Sequence, residues 1–194
     1  MRIGLYFGSF NPIHVGHVQI AQKTLDQFHL DEVWLMVSPQ NPFKETNDLA
    51  PDQDRLAMAR LASEGIPNLY VNDLEFSLPR PSFTITTVKL LRSERPNSSF
   101  YLIMGEDNLH SLHLWKNAED LLQLVEVIVY PREAQPVVFP AVLQRYRDRI
   151  HSISGNIIPV SATEIRAQFK AHLTPIDMLH PRVLQYIQQQ HLYS

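Results

Sequence analysis

Two histidines and two glycines near the start of the chain have the spacing of an anion-binding turn. His14 and His17 flank Gly16, and they follow a small-residue turn that begins at Gly8. Glycines at these places let a phosphate approach the backbone closely. A helix that starts there presents unpaired N–H groups and a partial positive charge, with both imidazoles able to face one side. The pattern predicts a phosphate site with two imidazole donors.

Regular elements must hold this turn, and apolar runs predict them. A strand over Arg2–Phe7 precedes the turn, and a helix over Val15–His29 follows it. Further strands are predicted at Glu32–Ser38, Asn68–Leu74, Ser99–Met104, Val125–Tyr130 and Asn156–Val160. Further helices are predicted at Asp52–Ala62, Phe83–Ser93 with Ser82 as its cap, Glu119–Leu124 and Pro181–His191, and another begins within Ser161–Arg166 with Thr163 as its cap.

Strands that alternate with helices, each a near-continuous apolar run, favour an α/β fold. The prediction is a Rossmann-like parallel sheet with helices on both faces. Residues 1–194 are expected to form one domain, with the C-terminal helical part, about 161–194, packed on it. Ligands bind beyond the carboxyl ends of such strands, and Lys44, Gly105, Asp107 and Arg166 all follow predicted strands.

Composition excludes several classes of function. The 194 residues include no cysteine, which excludes disulfides, thiolate catalysis and cysteine-based zinc sites. A net charge of −3 argues against nucleic-acid binding by bulk charge. The N-terminus enters a strand directly and its apolar run is too short for a membrane span, so a cytoplasmic protein without membrane attachment is expected. A homo-oligomer is compatible with the sequence.

Other chemistries lack their motifs. The chain has no G-x-G-x-x-G, no G-x-x-x-x-G-K-[ST] and no G-x-S-x-G. A zinc ion on His14 and His17 needs a third ligand that the sequence does not identify. We therefore predict no protein metal ligand.

Two segments resemble the nucleotidyltransferases of the α/β phosphodiesterase-type fold. The signature G-x-F-x-P-x-H-x-G-H is matched by Gly8, Phe10, Pro12, His14, Gly16 and His17. Ser161–Arg166 resembles the second signature, S-[ST]-T-x-[IL]-R, from which Ala162 departs. The resemblance implies transfer of an adenylyl group from ATP, with His14, His17 and Arg166 as catalytic residues. It implies ATP contacts from Gly8, Ser9, Phe10, His14, Gly16, His17, Gly105, Asp107, Ser161, Thr163 and Arg166, with Mg²⁺ accompanying ATP.

The middle of the chain resembles the nicotinate-mononucleotide adenylyltransferase branch of that family. Pro81–Thr84 with Thr87, the run from Gly105 to Trp115, Pro42-x-Lys44 and the Arg55–Met58 segment carry this resemblance. It implies that Trp115 contacts a pyridine ring, that the Thr84 hydroxyl and the Lys116 backbone N–H receive its carboxylate, and that Asp107 binds a ribose. Lys44 is then expected to neutralise a substrate phosphate, with Ser9 and Phe10 also contacting nicotinate mononucleotide.

Alternatives remain open at this point. A non-catalytic nucleotide-binding module can share the fold. Within the enzymes, the alternatives are relatives that use nicotinamide mononucleotide or that transfer a cytidylyl group, and pantetheine-phosphate adenylyltransferases, which more often carry Thr where His14 stands. Because the expected contact of Lys116 uses its backbone only, the sequence leaves the choice between acid and amide open.

Overall fold

The apolar runs of the chain form the strands of one parallel sheet. The computed structural model describes residues 1–39, 49–131, 137–155 and 158–193. The six strands lie in the order β3-β2-β1-β4-β5-β6, and all neighbours are parallel. Their bounds are β1 Arg2–Gly8, β2 Glu32–Val37, β3 Leu69–Asn72, β4 Ser99–Gly105, β5 Glu126–Tyr130 and β6 Ile150–Ser152. The chain reverses its direction of winding between β1 and β4, which is where such sheets bind ligands.

Helices cover both faces of the sheet, as predicted. The α-helices of the described ranges are α1 Val15–Phe28, α2 Asp52–Ser63, α3 Thr84–Glu94, α4 Glu106–Ser111, α5 Ala118–Leu124, α6 Ala162–Lys170 and α7 Pro181–Gln189. Short 3₁₀ helices occur at Leu74–Ser77, Leu112–Leu114 and Ala141–Arg149. Within those ranges, no helix is both long and apolar enough to span a bilayer.

Alternation along the strands divides the core into two apolar layers. On β1, Ile3 and Leu5 pack with α3, α4 and α5, whereas Tyr6 points to the opposite layer. That opposite layer contains α1 and α2, together with Ile165 of α6 and Ile187 of α7. The C-terminal helices thus contribute to the same core as α1 and α2, while the assignment of residues 1–194 to one domain stays a prediction.

The predicted sixth strand was misplaced. β6 runs over Ile150–Ser152, and residues 158–160 are outside any strand; residues 156 and 157 lie outside the described residues. Ile150 is buried and pairs with Val127, whereas Ile158 is 44% exposed. The charged stretch before β6 concealed the short strand, because three residues are too few to give a clear pattern.

Two predicted helix caps were also wrong. Phe83 rather than Ser82 occupies the cap position of α3, and the Ser82 hydroxyl donates to Glu75 Oε2 at 3.1 Å. At α6 the cap is Ser161 rather than Thr163, because the Ser161 Oγ accepts from the Glu164 N–H at 3.1 Å. Ser161 and Thr163 both carry hydroxyls and Phe83 carries none, so only the backbone path could identify the cap of each helix.

A fully buried arginine joins the first two strands to α2. The Arg55 side chain is 0% exposed. Its guanidinium donates to carbonyl oxygens that follow β1 and β2 and that precede α2, namely Ser9 at 2.6 Å, Ser38 at 2.7 Å, Pro39 at 3.0 Å and Ala50 at 3.0 Å. It also pairs with Asp52 at 2.6 Å. A charge removed from water needs such complete hydrogen bonding.

We expect Arg55→Met to lower the free energy of unfolding by about 3 to 5 kcal/mol, because it leaves buried carbonyl groups and a carboxylate without their donor. Urea unfolding at pH 7.5 measures this change. Arg55→Lys keeps the charge but loses the planar fork, and it should lie between Arg55→Met and the wild type. The matched control is Arg60→Met on the same helix, where the arginine is exposed. A loss below about 1 kcal/mol for Arg55→Met would contradict this role.

Candidate active site at the carboxyl edge of the sheet

The predicted phosphate-binding segments meet at the carboxyl edge of β1 and β4. β1 ends at Gly8 and β4 ends at Gly105, on either side of the point where strand order reverses. Arg166 comes from α6, far along the chain, and its Nη1 donates to the Asn11 carbonyl at 2.9 Å. The two signature segments identified in the sequence are therefore in direct contact.

The two histidines of the first signature stack on each other. His14 is the cap residue of α1, and the ring centroids of His14 and His17 lie 3.6 Å apart with an interplanar angle of 27°. The backbone N–H of His14 donates to His17 Nδ1 at 3.2 Å. Since Nδ1 accepts, the proton of a neutral His17 belongs on Nε2, which makes that nitrogen a donor.

His14 is a buried, neutral imidazole. Its exposed fraction is 7%, and burial lowers the pKa of its side chain from 6.5 to about 4. The Nδ1 atom of His14 is buried and makes no hydrogen bond to the described residues. An imidazole that is neutral at pH 7 acts by hydrogen bonding rather than as a cation.

The backbone N–H groups at the start of α1 are largely engaged, which the sequence did not predict. Val15 N–H donates to the Met178 carbonyl at 3.1 Å, and His17 N–H donates to the His14 carbonyl at 3.0 Å. The segment before α7 thus covers this helix end. At α6, by contrast, the N–H groups of Ala162 and Thr163 donate to no described group. The more open helix N-terminus of the site is therefore that of α6.

Close packing explains the three glycines at the site. A Cβ on Gly16 would lie 3.1 Å from His14 Nδ1, and one on Gly8 would lie 2.9 Å from the Phe10 ring. A Cβ on Gly105 would lie 3.1 Å from the Tyr130 ring. The sequence predicted that Gly8 and Gly16 serve the close approach of a phosphate, and the structure adds that neighbouring side chains leave little room for a Cβ at all three glycines.

A cluster of aromatic side chains packs against the ring of His17. Tyr6 lies 5.7 Å from Phe10 and 5.9 Å from both His17 and Tyr130, measured between ring centroids. The Tyr6 hydroxyl donates to the Tyr130 hydroxyl at 3.3 Å, and burial raises the pKa of Tyr6, so that it stays a donor. Phe10 is 2% exposed and has a φ of 46°, a strained value for an aromatic residue. Its side chain belongs to the core, while the backbone of Ser9 and Phe10 forms the turn.

Arg166 is half-buried beside this turn. Besides the contact of its Nη1 with Asn11, its Nε is buried and makes no hydrogen bond to a described residue. Ser161 caps α6, and Thr163 is exposed one turn before Arg166. A guanidinium with donor capacity left beside a helix N-terminus suits a phosphate oxygen.

The residues predicted to hold a pyridine ring come from two adjoining segments. Trp115 and Lys116 precede α5, Thr84 begins α3, and the Lys116 ammonium lies 4.2 Å from the ring centroid of Phe83. Among the described residues, neither the Thr84 hydroxyl nor the Lys116 backbone N–H donates a hydrogen bond. Both donors are thus available among the described residues. The family resemblance implies that they receive a carboxylate, and this role stays a prediction.

A buried carboxylate fixes the segment before Thr84. Glu75 is 2% exposed and accepts from the Thr87 hydroxyl at 2.7 Å and from the Ser82 hydroxyl at 3.1 Å. No role was predicted for Glu75 from the sequence, because its local pattern is that of a surface residue. The paired hydroxyls at Ser82 and Thr87 are the signal that could have indicated a buried acceptor.

Asp107 and Lys44 are the other two side chains that were predicted to contact the substrates. Asp107 lies exposed in the first turn of α4, immediately after Gly105. Lys44, predicted to neutralise a substrate phosphate, lies outside the described residues. No group of three or more His, Asp or Glu side chains in the described ranges is arranged to hold a metal ion.

This fold and site define a nucleotidyltransferase. The cytidylyltransferase-like family model matches residues 5–168. The chain is 42% identical over 194 residues to proteins of Flavobacterium psychrophilum and Flavobacterium johnsoniae, each named probable nicotinate-nucleotide adenylyltransferase, and covers 100% of both. The chain belongs to the cytidylyltransferase-like family and, within it, to the nicotinate-nucleotide adenylyltransferases.

Solved structures share the fold at lower sequence identity. The Plasmodium falciparum nicotinic acid mononucleotide adenylyltransferase complexed with NaAD superposes with a TM-score of 0.80 at 20% identity, over 99% of this chain and 97% of that chain. The same enzyme complexed with APC gives a TM-score of 0.77, over 99% and 96%. At this identity the likeness establishes the architecture, which confirms the predicted fold class.

We expect the titration of His14 to lower the free energy of unfolding in acid. The unfolded chain takes up a proton on this histidine below pH 6.5, whereas the folded chain does so only near pH 4. The titration of His14 therefore leaves the free energy of unfolding unchanged above pH 6.5. As the pH falls toward 4, it lowers that free energy by about 3 kcal/mol at most. Urea unfolding at pH 7.5, 5.5 and 4.5 measures it.

The His14→Gln variant should lack this part of the pH dependence, and His113→Gln, which alters an exposed histidine, should retain it. Equal pH slopes for the wild type and His14→Gln would show that His14 does not titrate in this way.

Proposed function

We propose that the protein transfers the adenylyl group of ATP to nicotinate mononucleotide, giving nicotinate adenine dinucleotide and pyrophosphate. The observation that carries the proposal is the contact of Arg166 with the Asn11 carbonyl, since it joins the two signature segments at one edge of the sheet. The names of the curated relatives, at 33–42% identity, support the choice of substrate. We also place the reaction in the cytoplasm, in keeping with a chain that lacks cysteine.

The reaction requires orientation and charge stabilisation rather than a protein nucleophile. A phosphate oxygen of nicotinate mononucleotide attacks the α-phosphorus of ATP, a new P–O bond forms, and the bond from the α-phosphorus to the bridging oxygen breaks. Pyrophosphate takes the electron pair as it leaves. Positioned donors beside the α-phosphate and the leaving group stabilise the charge that develops there.

Each of the grouped side chains suits one part of this task. In our proposal the His17 Nε2–H donates to a phosphate oxygen of ATP, and His14, stacked on that ring, also contacts the ATP phosphates. Arg166 and the N–H groups at the start of α6 bind the β- and γ-phosphates, which become the leaving group. Gly8, Ser9, Phe10, Gly16, Gly105, Asp107, Ser161 and Thr163 complete the proposed ATP site.

On the acceptor side, Trp115 provides a flat face for the pyridinium ring, and Thr84 with the Lys116 N–H receives the carboxylate. Ser9, Phe10 and Lys44 remain the proposed contacts to the rest of nicotinate mononucleotide, Lys44 on its phosphate.

A divalent cation fits this site as a companion of ATP. Enzymes of this class use ATP with a divalent metal, and we propose Mg²⁺. Since the described residues offer no cluster of acidic and histidine ligands, phosphate oxygens and water would supply most of its coordination. The ion would neutralise charge on the triphosphate.

The direct test is dinucleotide formation from Mg·ATP with nicotinate mononucleotide and with nicotinamide mononucleotide in parallel. Formation of the dinucleotide from the acid supports the proposal. Exclusive use of the amide would keep adenylyl transfer and change the acceptor. A folded protein that binds ATP but forms neither dinucleotide would use another acceptor or be a binding module.

We expect His17→Ala to lower kcat by at least about 100-fold while the protein keeps its fold, because one positioned donor to a developing charge typically contributes that much. Initial rates of dinucleotide formation measure the loss, and circular dichroism checks the fold. His113→Ala is the matched control, since His113 is exposed in a 3₁₀ helix. Activity of His17→Ala within threefold of the wild type would remove His17 from the mechanism.

A further inference from the structure

The side chain of Lys116 contacts the residue that precedes Thr84. Its ammonium sits 4.2 Å from the ring centroid of Phe83, and Phe83 immediately precedes Thr84. A cation over an aromatic face is held by the ring quadrupole. The positive charge of Lys116 thus lies close to the start of α3.

This charge has no anionic partner in the described structure. No carboxylate of the described residues lies within 4.0 Å of the Lys116 ammonium, whereas Lys89, on α3 itself, pairs with Asp120 at 3.5 Å. The available donors of the Thr84 hydroxyl and of the Lys116 backbone belong to the same two segments as this ammonium. An unneutralised cation on the same two segments as two unused donors favours the binding of an anionic group.

We propose that the Lys116 side chain increases the preference for a pyridine carboxylate over a pyridine carboxamide. The inference rests on the proposed function and extends it. A charge is needed because backbone and hydroxyl donors alone can also bind the carbonyl oxygen of an amide. Acid and amide substrates share their ribose, phosphate and pyridinium ring, and they differ by one negative charge at the substituent. A nearby ammonium acts on that difference.

Lys116 is exposed, so its effect is moderate and depends on salt. An exposed charge pair alters an equilibrium by up to about fivefold, and the Debye length falls from about 10 Å at 0.1 M salt to about 3 Å at 1 M. The preference for the acid should therefore decrease as ionic strength rises. A preference that came only from backbone N–H groups would change much less.

The experiment compares the ratio of kcat/KM for nicotinate mononucleotide to that for nicotinamide mononucleotide, with saturating Mg·ATP. Lys116→Met should lower this ratio by about three- to fivefold at low salt, and Lys116→Arg should restore most of it. Lys89→Met is the matched control, as it removes another exposed lysine that lies on α3, and it should leave the ratio unchanged.

An unchanged ratio in Lys116→Met, or an equal fall in Lys89→Met, would overturn the inference. An equal loss of kcat/KM with both substrates would also overturn it, since Lys116 would then act on the shared phosphate or on the fold. These outcomes differ from failure of the proposed function, in which the wild type itself forms neither dinucleotide.

Discussion

The geometry of the site depends on one buried guanidinium. Arg55 is completely removed from solvent, and it donates to the Ser9 carbonyl at 2.6 Å and to the Ser38 carbonyl at 2.7 Å. Those carbonyls follow β1 and β2, while Asp52 at the start of α2 supplies the counter-charge. Because a buried cation is very costly when any donor is unsatisfied, the path of the turn that leads to His14 is held to a narrow set of conformations.

Asn11, in the same turn, forms hydrogen bonds with distant parts of the chain. Its carbonyl accepts from Arg166, and its side-chain Oδ1 accepts from the Ala50 N–H at 3.0 Å and from the Tyr193 hydroxyl at 2.8 Å. A single residue of the turn that follows β1 therefore contacts the segments before α2, within α6 and after α7. The C-terminal part does more than cover the core, since it helps to fix the residues that surround the phosphate site.

The fold and the two signature segments could be predicted from the sequence because both are local. Apolar runs gave β1 to β5, and the spacing of His14 and His17 indicated the phosphate turn. Arg55 and Glu75 could not be found in this way, since a buried charge resembles a surface charge until its partners are known. The misplaced β6 and the engaged N–H of Val15 have the same cause, because tertiary contacts with β5 and with the Met178 carbonyl determine them.

In the proposed reaction, two phosphorylated substrates bring several negative charges to a protein whose net charge is −3. The buried His14 does not balance them as a cation, because burial lowers its pKa to about 4. The His17 Nδ1 accepts the backbone N–H of His14, which fixes the orientation of the stacked pair. In our proposal, positive charge comes from Arg166, Lys44 and the helix end at Ser161, together with the cation that accompanies ATP, while the imidazoles orient the phosphates.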